Sequence, residues 1–84
     1  MAKYRKRPIV IDAIQWTGFN LKEIQDFAKG FREITESKHF KNRLAIKTLE
    51  GTMTAKIDDW IVKGVEGEFY PIKNDIFKKI YEAV

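Results

Sequence analysis

Gly51-Thr-Met-Thr-Ala-Lys-Ile-Asp-Asp-Trp-Ile-Val-Lys-Gly-Val-Glu-Gly-Glu-Phe-Tyr-Pro-Ile-Lys-Asn-Asp-Ile-Phe77 is a succession of short alternating runs, each closed by Gly or Asp, that leads directly into an amphipathic helix. Thr52 to Ile57 reads as a strand with Met53, Ala55 and Ile57 inward and Thr52, Thr54 and Lys56 toward water, because successive side chains on a strand point to opposite faces. Glu50-Gly51 before it is a two-residue hairpin connection in which Gly accepts positive φ. Asp58-Asp59 turns the chain into Trp60 to Lys63, and Gly64-Val-Glu-Gly67 turns it again into Glu68 to Ile72. Pro71 cannot donate to a ladder and belongs at an edge or a strand end. Asn74 is placed to cap a last helix, with Ile76, Phe77, Ile80 and Tyr81 at helical spacing on one face and Lys73, Lys78 and Lys79 outside.

Upstream, Leu44 to Leu49 supplies the other arm of the hairpin, with Leu44 and Ile46 on one side. Pro8 to Trp16 alternates as a strand that is apolar on most of both faces, so it calls for a central or covered position. Asp12 in its middle is costly to bury unless it faces solvent or pairs with one of the many basic side chains. Gly18-Phe-Asn20 breaks the strand, and Asn20-Leu-Lys-Glu23 has the spacing of a capping box for a helix from about Leu21 to Lys29, with Leu21, Ile24, Phe27 and Ala28 inward and Gly30 at its end. Between Phe31 and Arg43 the pattern weakens to a ragged strand near Arg32 to Glu36 and a polar turn. The chain therefore reads as one α+β domain spanning residues 1–84, ordered β-α-β-β-β-β-α, with two helices packed on an antiparallel sheet of about four to five strands.

Composition narrows the chemistry. A chain of 84 residues buries only about 60 to 65% of its unfolded surface, leaving little room for a deep pocket. Its eleven aromatic residues, Phe 6, Tyr 3 and Trp 2, can close a small core without staples. With no cysteine there is no disulfide framework, thiol nucleophile or Cys-type zinc site. The basic N-terminus runs into an alternating segment rather than a secretory signal, and no stretch approaches the ~20 apolar residues that cross a bilayer, so a soluble cytoplasmic protein with no membrane partner is expected. The net charge of +4 is uneven: residues 1–47 carry +6 and residues 48–84 carry −2.

Reactive constellations are sparse. Ser37 and His39, the only serine and only histidine, sit two residues apart in a polar turn, whereas a triad needs convergent geometry. Asp58, Asp59, Glu66 and Glu68 could meet at one edge to hold a hard cation, although their spacing fits no known loop. The five glycines form no phosphate-cradling motif. No catalytic, cofactor-binding or metal residue is assigned on these grounds, and an enzyme is not expected. Two binding surfaces remain. Lys3, Arg5, Lys6 and Arg7, with Lys41 and Arg43, could track phosphates while Tyr4 or Phe40 stacks on a base. Trp60, Phe69 and Tyr70 are core candidates which, if left exposed beside an unpaired strand edge, would form a protein-binding patch or a homo-oligomer contact.

Several segments together resemble a known group: Tyr4-Arg-Lys-Arg-Pro-Ile-Val-Ile-Asp-Ala-Ile-Gln-Trp16, Leu49-Glu-Gly-Thr-Met53, Asp59-Trp-Ile-Val-Lys-Gly64, Gly67-Glu-Phe-Tyr-Pro71, and Asp75-Ile-Phe77 through Tyr81-Glu82. The chain is similar to a widespread family of small proteins encoded by bacteriophages and prophages, mostly of Gram-positive hosts, whose function is unknown. Such sequences often have Gly where this chain has Asp58. The resemblance implies an accessory protein acting in the cytoplasm of a bacterial host cell, binding a host or phage protein, and it brings no catalytic residues or cofactor.

Overall fold

The computed structural model describes residues 1–5, 7–28 and 34–84. Its elements run β1 (Asp12–Gln15), α1 (Leu21–Phe27), β2 (Ile34–Glu36), β3 (Leu44–Thr48), β4 (Gly51–Ala55), β5 (Trp60–Lys63), β6 (Phe69–Ile72) and α2 (Asn74–Ile80). The α+β class expected from the sequence is present. The single sheet of about four to five strands is not: among the described residues six strands divide into two antiparallel three-stranded sheets, β1-β5-β6 (sheet 1) and β2-β3-β4 (sheet 2).

Sheet 2 behaves as the alternation dictates. Ile34 lies opposite Ile46, and Leu44 opposite Ala55, and all four are buried. The other face, with Thr35, Lys47, Thr52 and Thr54, is wetter, and those four are exposed or half-buried at most. Met53 and Ile57, expected inward, stay at 43% and 42% exposure, since the core is already filled where β4 ends at Ala55. The hairpin is displaced by one residue from expectation. Leu49 and Glu50 form the turn and Gly51, at φ +113, already pairs with Thr48 as the first residue of β4; a turn followed by a left-handed glycine is the second common way to close a hairpin.

Sheet 1 is covered on both faces. Ile14, Ile61 and Phe69 project into the main core, where they meet Trp16 just after β1, Ile24 and Ala28 of α1 and its cap, and Ile34, Leu44 and Ile46 from sheet 2. Phe69 packs edge-on against Phe27 of α1, with ring centroids 5.4 Å apart, the geometry that aromatic quadrupoles favour. The buried Trp16 indole N–H donates to the Asn42 carbonyl at 2.9 Å, so its polar atom is not stranded. On the opposite face lie Ala13, Trp60, Val62, Tyr70 and Ile72, related by register across β1, β5 and β6. There the Trp60 ring stacks on Phe77 of α2 at 4.2 Å and 9° between planes.

Neither helix is capped as the sequence pattern indicates. Asn20 makes no side-chain cap bond to α1. Its Oδ1 instead accepts from the Thr17 backbone N–H and hydroxyl, and its Nδ2 donates to the Gln15 carbonyl and to Glu23. Asn20 thus secures the β1 to α1 turn. In α2 the capping position is Lys73, and Asn74 is already helical; the Asn74 Oδ1 accepts the Trp60 indole N–H at 2.9 Å. Lys29, Gly30 and the start of the ragged strand at Arg32 lie outside the described residues.

Candidate functional site

The residues expected to carry chemistry are occupied locally or held apart. Ser37 Oγ accepts the backbone N–H groups of His39 and Phe40, at 3.2 Å each, and so shapes its own turn. Asp59 Oδ2 accepts the Lys56 backbone N–H, and Glu68 Oε2 accepts that of Glu66. These two acidic pairs flank opposite ends of β5, a four-residue strand that alone spans about 13 Å, so the four carboxylates do not converge. Among the described residues no group of three or more His, Cys, Asp or Glu is placed to hold a metal ion. Asp12 is exposed and sits opposite Lys63, which removes the burial cost its strand position raised.

The basic residues fall into two places. Lys3, Arg5 and Arg7 are exposed along an N-terminal arm with no secondary structure, and Tyr4 on the same arm is 94% exposed; Lys6 lies outside the described residues. The arm enters β1 at its Asp12 end. Lys41 and Arg43 belong instead to the turn at the Trp16 end, where the Arg43 guanidinium rests 4.7 Å over the Phe40 ring. The two groups do not form one continuous phosphate track on a single copy.

The aromatic trio is also divided. Phe69 is buried at 5% exposure, in the core, and offers no ring surface to a partner. Trp60 and Tyr70 are half-buried on the outer face of sheet 1, where Trp60, Phe77 and Tyr81 form a continuous series with the second pair 5.0 Å apart. The Tyr70 phenol is held above the ordinary tyrosine value, first by burial, then by the nearby Tyr81 and Glu68 charges and a hydrogen bond with Tyr81. Both phenols therefore help to fasten α2 to β6.

What the aromatic series does not cover is the more informative surface. An open groove of about 580 Å³ runs between the N-terminal segment Pro8 to Ile11 and α2, floored by Ala13, Trp60, Phe77 and Tyr81 and bordered by Ile80. Val10 is 75% exposed, and Ile9 and Ile80 are close to half exposed. Beside them β1 is the edge of its sheet, with hydrogen-bonding groups facing outward. Sequence reading missed this surface, although the two-faced apolar pattern of Pro8 to Trp16 was its signal: a strand apolar on both sides needs two covers, and Pro8, Ile9 and Val10 stay exposed while Ile11 is only half-buried. A second groove of about 760 Å³ lies between the two sheets at Leu49, Met53, Phe69 and Pro71, rimmed by Lys47, Glu50, Glu66 and Glu68.

No helix among the described residues is long and apolar enough to cross a membrane. Comparison with known proteins found no matching family model, curated protein or solved structure.

Proposed function

We propose that the protein is a non-enzymatic interaction module of the phage accessory type, acting in a bacterial host cell by surface complementarity. The observation that carries this reading is the apolar surface formed by Ile9, Val10 and Ile80 alongside the unpaired edge of β1. An exposed strand edge next to exposed aliphatic side chains offers both components of strand addition, namely backbone hydrogen bonds for affinity and side-chain pockets for register. The family resemblance in sequence fits a partner of host or phage origin.

Affinity capture from bacterial lysate with the wild-type chain and with Val10→Lys tests it. A protein retained by wild type after nuclease treatment and lost by Val10→Lys is the expected result. Retention of the same proteins by both, or of nothing but nucleic acid by a chain that also does not self-associate, overturns it.

A second reading, nucleic-acid binding, is favoured by the exposed Tyr4 set among Lys3, Arg5 and Arg7. Because Lys41 and Arg43 stand at the far end of β1, the arm would act alone. Neutralising about four phosphates gives a slope of about −3 in log affinity against log salt, with little dependence on base sequence. A mobility-shift series over salt concentration measures it; absence of binding at low salt eliminates this reading.

A further inference from the structure

We infer that the interaction surface closes on a second copy of this chain, the free edge of β1 pairing antiparallel with the same edge of its twin. This rests on the interaction reading above and names the partner.

The first support is the unfinished strand. Asp12 pairs with Lys63, and β5 then turns away at Gly64, so the ladder stops while the alternating sequence continues back to Pro8. Between Ile9 and Ile14 this edge carries none of the usual protections: it has no proline and no lysine, its one charge is Asp12, and the Asn20 amide closes it only at the Gln15 carbonyl. The second support is area. The chain exposes 7062 Å², whereas a compact protein of 9.9 kDa is expected to expose about 5,200 Å². The excess is more than the roughly 800 Å² that each partner contributes to a stable interface. The molecule is correspondingly long, 44 × 24 × 23 Å, with a radius of gyration of 13.5 Å against about 12 Å expected for its length. Much of the surplus lies where residues 1–5 and 7–10 run exposed.

Self-pairing also suits the charges. A two-fold axis makes one strand serve as both halves of the contact. The backbone groups of Trp16 are taken up by the β5 side, so the odd-numbered residues face the free edge. With the pairing centred on Ile11, Asp12 falls opposite Val10 of the other copy and meets no like charge. The cationic arms then leave at opposite ends of the joint, Arg5 passing the other copy's Thr17, next to Trp16, whose backbone is bonded to the Asp58-Asp59 turn. Parallel pairing would instead lay arm beside arm.

Sedimentation velocity of the full chain over a concentration series provides the test, with Val10→Lys and Leu49→Lys as variants. Both positions are exposed in the single copy, so neither change should disturb the fold, which circular dichroism checks. Expected are a concentration-dependent species of twice the 9.9 kDa chain mass for wild type, self-association weakened at least roughly tenfold in Val10→Lys, and wild-type behaviour in Leu49→Lys. A wild type that remains monomeric at its highest soluble concentration overturns the proposal, as does a dimer lost in Leu49→Lys and kept in Val10→Lys. A monomer that still captures a foreign protein through Val10 refutes self-pairing alone and leaves the interaction reading standing.

Discussion

Asp58 adopts φ +80, a left-handed conformation that side chains with a Cβ seldom take. Its backbone N–H donates to the Trp16 carbonyl at 2.7 Å, so the strained residue joins β1 to the turn before β5. Glycine is the residue that takes this conformation without strain. Asp58→Gly should raise stability by about 1 kcal/mol by removing that strain, whereas Asp58→Val should lower it by at least as much; urea denaturation midpoints measure both. Tyr70 offers a pH test. A raised pKa means that the folded chain holds the phenolic proton more tightly than the unfolded one. Its contribution to stability is therefore full below about pH 10, the ordinary tyrosine value, and is lost as pH rises through the higher folded value. In Tyr81→Phe the Tyr70 titration, followed by the ¹³Cζ shift, should move down but stay raised, because burial is the larger cause. Both asparagines placed as caps show why side-chain roles are harder to read than backbone breaks. The breaks at residues 20 and 74 were legible from polar residues beginning apolar periods. Which donor each amide meets depended on Thr17 and Trp60, and Trp60 lies 14 positions from Asn74.

Helix α2 has no buried residue of its own, and seven residues are too few for an isolated helix in water. It stands because Trp60 stacks on Phe77 and donates to Asn74. Asn74→Ala should cost about 1 kcal/mol through the lost indole hydrogen bond and shift the Trp60 indole N–H resonance, while Trp16, bonded to Asn42, keeps its own. Trp60→Ala should release α2 from protection against hydrogen exchange while sheet 2 keeps its slow amides. Unchanged α2 protection would show that the helix is held otherwise. Strand positions were largely legible in the sequence because period-two alternation needs only neighbours. The division into two sheets was not. It follows from Gln15 pairing with Trp60 rather than with a strand nearer in the chain, and the same alternating pattern serves a three-stranded sheet as well as a five-stranded one. Pro8 to Ile11 alternates as β1 does, yet no strand among the described residues pairs with it.

Taken whole, the molecule places an apolar core between two small sheets, a helix on the outer face of sheet 1, and an exposed arm that leads into an edge strand which no strand among the described residues covers. The charge asymmetry visible in the sequence is real, but the fold separates its parts, with the arm at one end of β1 and Lys41 and Arg43 at the other. The excess of exposed surface could not be read from composition, because it depends on how far the chain extends once folded. Isotope-filtered nuclear Overhauser spectroscopy on a mixture of labelled and unlabelled chains reports contacts between copies and nothing within one. Cross-peaks linking Ile9, Val10 and Ile11 of one copy to the same strand of another are expected, with Ile80 at the margin. Their absence at concentrations where the protein self-associates, or cross-peaks confined to Leu49 and Met53, would contradict the assignment of the β1 edge as the binding surface.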